Sequence, residues 1–168
     1  MSTTITITFS MLFNIILICF LYLCILKIRE EKLMVETIKH KNLISAILIH
    51  SIYKKNGIEF FTPDHFSQQL GYMSRPKGYK VEPHTHKIVE RKVSLTQEVL
   101  FVKSGKVRIS LYNDDEEFIK DIILEKGDII LLASGGHSLE MLEESELIEV
   151  KQGPYCSDED KVRFTPKK

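Results

Sequence analysis

The chain has no surplus of charge, no tryptophan and few cysteines, and these shortages narrow the classes of function open to it. Basic and acidic side chains balance at 23 each. No broad field of one sign is therefore present to draw nucleic acid or an acidic partner to the surface. The three cysteines, Cys19, Cys24 and Cys156, form neither a disulfide framework nor a Cys-x-x-Cys metal site, and they suit a reducing compartment. Without Trp the aromatics are Phe and Tyr alone, in ordinary number. No Ser-His-Asp or Cys-His arrangement supplies a nucleophile. No glycine-rich loop cradles phosphate, since Ser134-Gly135-Gly136 reads as a tight turn. There is no helix-turn-helix pattern, internal repeat or low-complexity tract. The length of 168 residues suits one domain and a tail.

What is present begins with an apolar run from Phe9 to Leu26, interrupted by Ser10 and Asn14. It approaches the ~20 residues that cross a bilayer as a helix. No basic residue precedes it, while Lys27, Arg29 and Lys32 follow at once, which places the C-terminal side in the cytoplasm. A cleaved secretory signal would need a basic leading region and a small-x-small cleavage site, and Leu-Lys-Ile-Arg-Glu-Glu supplies neither. Two readings stand side by side. In one, residues 9–26 anchor a single-pass membrane protein with a cytoplasmic C-terminal domain. In the other, translation starts at Met34, residues 1–33 are an extension, and the protein is cytoplasmic. The expected division is an apolar segment over 1–33, a main domain over 34–155 and a polar tail over 156–168.

The main domain reads as many short strands at turn-to-turn spacing, with almost no helical periodicity, so the fold class is all-β, a sandwich or barrel preceded by one apolar N-terminal helix. Expected strands are Leu43–Tyr53, Ile58–Phe61, Gln69–Met73, Val81–His86, Val89–Ser94, Val99–Lys103, Lys106–Tyr112, Phe118–Leu124, Ile129–Ala133, His137–Leu142 and Leu147–Gln152. Asn56-Gly57, Pro76-Lys77-Gly78, Ser104-Gly105 and Lys126-Gly127-Asp128 supply turns. The tail beyond Gly153-Pro154 is polar and reads as a surface strap or a mobile end.

The chemistry concentrates between Gly78 and Gly105. His84 and His86 are two apart, so on a strand they share a face. After an eleven-residue gap Glu98 stands directly before Val-Leu-Phe-Val, which turns its carboxylate toward an interior or cleft where it needs a partner. His137 follows a later apolar run. Together these four side chains suit a divalent transition metal such as Fe, Mn, Zn or Ni, or Cu. His40, His50 and His65 read as ordinary structural histidines. Tyr72, Arg75, Tyr79 and Arg91 are candidates to support a ligand, the arginines by clamping a carboxylate or phosphate, against the plainer reading of solvated surface arginines. Gln97 faces away from Glu98 on a strand and is given no role.

The spacing Gly78, five residues, His84-Thr-His86, Glu98, six residues, Gly105 resembles the first motif of the cupin superfamily, with a longer gap before the acid. Gly127, Ala133, Gly135 and His137 resemble its second motif, with Ala in place of Pro, the histidine one residue early, and Met141 where Asn is usual. The resemblance covers roughly residues 71–152. It implies a double-stranded β-helix of jelly-roll type, metal ligation by His84, His86, Glu98 and His137, and often a homodimer.

Three functions remain open. The first is a metal-binding cupin that binds a small polar ligand such as a sugar or organic acid and transforms it as an oxygenase or isomerase. The second is a non-catalytic ligand-sensing module. The third is a metal-independent sugar-nucleotide isomerase or epimerase with His84 or His86 as general base.

Overall fold

The computed structural model of the protein describes residues 13–23, 34–156 and 161–167. The chain divides into two compact units, Met1–Met34 and Val35–Lys168. In the first, residues 13–23 are helical. Residues 9–12 and 24–26 of the apolar run lie outside the described residues. Among the described residues no helix is long and apolar enough to cross a membrane.

The second unit is all-β. Its strands are β1 (Val35–His40), β2 (Leu43–Ile49), β3 (Gly57–Phe60), β4 (Gly71–Ser74), β5 (Glu98–Ser104), β6 (Lys106–Tyr112), β7 (Phe118–Glu125), β8 (Ile129–Leu132), β9 (Gly136–Met141) and β10 (Glu146–Lys151). They form a five-stranded sheet in the order β1-β2-β8-β5-β10, a three-stranded sheet in the order β7-β6-β9, and the hairpin β3-β4. Neighbouring strands run antiparallel. The chain alternates between the two larger sheets: β5 to β6 and β7, back to β8, across to β9, back to β10.

Alternation explains which face of each strand turns inward. Leu100 and Val102 on β5, Ile130 and Leu132 on β8, and Ala46 and Leu48 on β2 meet Val107, Ile109 and Leu111 on β6 and Ile122 and Leu124 on β7 in one core. Each such leucine or isoleucine contributes roughly 1.5–3 kcal/mol by leaving water. Ile47, Ile49 and Leu131, on the opposite face, are buried as well. That double burial is why β2 reads as consecutive apolar residues from Ala46 to Ile49 rather than an alternating pattern.

Two expectations need correction. The stretches Val81–His86 and Val89–Ser94 are not strands: residues 75–97 contain no strand, and from 75 to 96 every residue is exposed. They have no sheet edge to donate to, so apolar residues such as Ile88 stay in solvent. Conversely, β1 gave no strong signal. Its hairpin to β2 turns at Lys41 with φ 53°, where no glycine marks the bend. The glycine between β5 and β6 is structural. Gly105 has φ +85°, and a Cβ there would lie 2.4 Å from the Glu144 carbonyl oxygen.

The tail is a strap over residues 161–167. Phe164 packs edge-on against Tyr112 with ring centroids 5.3 Å apart. Lys167 donates its backbone N–H to Glu116 O at 3.0 Å and its ammonium to Asp115 O at 2.8 Å.

Candidate functional site

Ladder register brings three side chains together. Glu98, the first residue of β5, lies opposite Lys151 on β10 and Leu132 on β8. His137, the second residue of β9, lies opposite Leu111 on β6. The turn before β9 depends on Gly135: its φ is +76°, and a Cβ would sit 2.3 Å from the Tyr112 carbonyl oxygen. Only glycine lets the chain pass that close and still deliver His137 onto the ladder.

Glu98 is buried. Its Oε2 lies 3.0 Å from His137 Nε2, and its Oε1 lies 3.5 Å from the Lys151 ammonium. A hydrogen bond from His137 holds the Glu98 carboxyl well below the ordinary carboxylate range, at about 2; the charges of His137, Lys151 and Lys161 act in the same direction, and burial opposes them. Glu98 is therefore a carboxylate at neutral pH. Lys151 is raised from its ordinary value, first by its hydrogen bond to Glu149 and further by Glu98.

This trio lines a cavity of about 740 Å³, within the size range of small-molecule sites. Tyr112 and Phe164 form an aromatic wall, Leu132, Leu139 and Val162 add apolar surface, and Thr96, Ser134 and Ser138 add hydroxyls. Lys161, from the strap, lines it too. Sequence reasoning had passed over Lys151, Tyr112 and Lys161. Only Lys151 had a local signal, as the end of an apolar strand two residues from Gly153-Pro154.

The four residues anticipated as metal ligands fall into two groups. Glu98 and His137 meet in the lining of the cavity. His84 and His86 stand on the exposed stretch without strands, their rings edge-on with centroids 5.3 Å apart, and His84 Nδ1 is 2.9 Å from Glu82 O. Among the described residues no group of three or more His, Cys, Asp or Glu is close enough to hold an ion. The cavity lining supplies two donors, Glu98 and His137, and the Lys151 ammonium lies 3.5 Å from the carboxylate. The shared-face argument for His84 and His86 required a strand that residues 81–86 do not form.

The remaining candidates are accounted for locally. Arg75 lies over the Tyr79 ring at 4.9 Å, and exposed Arg91 donates to Val89 O at 3.3 Å. Tyr72 packs edge-on against Tyr53 with centroids 4.9 Å apart. His50 Nδ1 sits 3.5 Å from Asp128, and His40 Nε2 lies 3.4 Å from the Asn113 amide.

No protein-family model matches the chain, and no curated protein or solved structure matches it. The likeness to cupins therefore stands on the motif residues alone.

Proposed function

We propose that the domain is a jelly roll of cupin type that binds a small polar molecule in the Glu98–His137 cavity and acts on it by proton transfer. This is the chemistry of a metal-independent isomerase or epimerase. The observation that carries the reading is the 3.0 Å contact between Glu98 Oε2 and His137 Nε2 in the lining of a cavity of ligand size. The alternation of the chain between two antiparallel sheets supports the jelly roll.

In this reading His137 is the proton carrier, in place of His84 or His86. His137 Nε2 faces the ionised Glu98, and Nδ1, the other ring nitrogen, is the atom that takes a proton from the ligand and returns it. The carboxylate then stabilises the imidazolium that forms, as in any His–carboxylate pair. Lys151 and Lys161 give the cavity positive charge that favours an oxyanion developing on the ligand. The cavity hydroxyls orient the ligand by hydrogen bonding.

A metal reading is kept alive by one distance. Two donors at right angles on one octahedral ion, each about 2.1 Å away, sit about 3.0 Å apart, and Glu98 and His137 have that spacing. A sensing module without turnover is the third reading.

One experiment separates the three. The protein is incubated in deuterium oxide with keto sugars and oxo acids, and exchange at the carbon beside the carbonyl is followed by proton NMR. The expected result is exchange that survives a chelator and falls about 100-fold or more in His137→Asn. Exchange that vanishes with chelator and returns with Fe, Mn or Zn establishes the metal reading instead. Saturable binding without exchange establishes the sensor.

A further inference from the structure

The turn into β9 carries two glycines in a row, and they are glycine for different reasons. Gly135 has φ +76°, a backbone conformation that suits glycine. Gly136 has no positive φ, so its backbone makes no such demand. What excludes a side chain at Gly136 is a ring from far along the chain. A Cβ there would lie 2.7 Å from Phe164 Cζ and 2.8 Å from its Cε1. Glycine weakens a strand and packs nothing, and in a strand it often marks a place of close approach.

That approach happens beside the site. Gly136 opens β9, which among the described residues pairs with β6 alone and is an edge strand. Its register partner on β6 is Tyr112, and Phe164 packs edge-on against Tyr112 as well. An aromatic ring laid over an edge glycine covers the backbone that the missing side chain leaves bare. The residue after Gly136 is His137, whose Nε2 lies 3.0 Å from Glu98 Oε2. Consecutive strand residues point to opposite sides. The ring therefore supports the backbone from the side away from the His137 imidazole.

The strap itself is built to hold this ring. Phe164 is half-buried, whereas residues 161–163 and 165–167 are exposed. Three residues on, Lys167 clamps the strap to the turn between β6 and β7, through its N–H to Glu116 O at 3.0 Å and its ammonium to the Glu116 carboxylate at 3.2 Å. We propose that Phe164 is a positioning residue for His137: its ring, seated on Gly136 and Tyr112, fixes the start of β9 and so keeps the imidazole at Glu98. The consequence for catalysis rests on the proton-transfer reading above, whereas the support itself does not.

A double-mutant cycle on the full chain tests it. In the parent, Gly136→Ala is expected to lower the melting temperature by about 3 °C or more, because the ring must leave its seat. In the Phe164→Ala background the same substitution is expected to leave it unchanged or raise it by about 1–2 °C, since alanine at a permissive φ restricts the unfolded chain. Failure of Gly136→Ala to fold in the parent, with folding restored in the Phe164→Ala background, supports the proposal equally. The second readout is the proton–nitrogen NMR spectrum of the histidine rings. Phe164→Ala and Gly136→Ala are each expected to shift and broaden the His137 signals, while His50, beside Asp128, keeps its own. Gly136→Ala leaves the Phe164 side chain in the protein. A loss of about tenfold in exchange beside the carbonyl, common to both variants, therefore reports the displaced imidazole. If the parent catalyses no exchange, the proton-transfer reading fails, and the melts and ring signals still decide this one. The proposal is overturned if the His137 signals in Phe164→Ala match those of the parent, or if Gly136→Ala costs the same in both backgrounds.

Discussion

The pair Glu98–His137 and the pair His84–His86 were both read from the sequence as metal ligands, and they behave as opposites. Glu98 and His137 stand on strands whose ladders are fixed by a packed core, so their separation is a consequence of register. His84 and His86 stand on a stretch that pairs with no strand and is exposed throughout. Proximity in sequence gave the second pair a contact with each other and no place in the cavity. Proximity in the fold gave the first pair a shared site across 38 residues of chain.

The sharpest way to widen that difference is to remove one member of each pair. Glu98→Ala leaves His137 and Lys151 facing a gap where a buried carboxylate stood, and is expected to lower stability by about 3–5 kcal/mol. His84→Ala and His86→Ala, on exposed chain, are expected to fall within about 0.5 kcal/mol of the parent. Urea denaturation monitored by circular dichroism measures both. Comparable losses in the two groups would place the histidine pair in the packed site after all.

A second comparison uses two glycines with similar dihedral angles. Gly135, before His137, and Gly78, before His84, have φ of +76° and +86°. At Gly135 a Cβ meets the Tyr112 carbonyl, whereas at Gly78 nothing lies within 4 Å. Gly78→Ala therefore pays only the left-handed backbone penalty of about 1–2 kcal/mol. Gly135→Ala adds a main-chain clash, displaces His137 from Glu98 and is expected to cost more. Thermal melts of the two variants, with the His137 ring signal followed by NMR, test the ordering.

The last contrast is in pH dependence. The folded-state carboxyl of Glu98 is held at about 2, whereas an unfolded glutamate titrates at about 4.3. A depressed folded value means the contribution is fully present above the unfolded value and drains away as pH falls from about 4.3 toward about 2. Acid-unfolding curves should show that component in the parent and lack it in Glu98→Gln. An identical slope in the two proteins between those pH values would remove the ion pair from the account of stability.

These contrasts explain how far the sequence could be read. Val107, Ile109 and Leu111 alternate with polar neighbours, and Gly105 marks the bend before them, so β6 was legible with its boundaries; the bend itself reads as a hairpin but is the corner where the chain leaves the five-stranded sheet for the three-stranded one, since β5 and β6 do not pair. Glu98 was legible as a buried acid because four apolar residues follow it. The role of Lys151 was not, because it depends on β10 lying beside β5 in a given register, and no local pattern records which strands are neighbours. The stretch 81–94 misled because Val81, Val89 and Val93 have strand-forming side chains. Propensity describes a residue's fit to a sheet and supplies no partner for its backbone.

The sequence by itself determined the all-β class and the glycine-marked bends at Gly105 and Gly127, since these follow from side-chain period and backbone sterics acting within a few residues. Tertiary structure alone decided which ionisable groups meet. Contact between Glu98, His137 and Lys151 depends on the pairing of strands far apart in the chain, and that pairing is selected by the whole core rather than by any residue near the site.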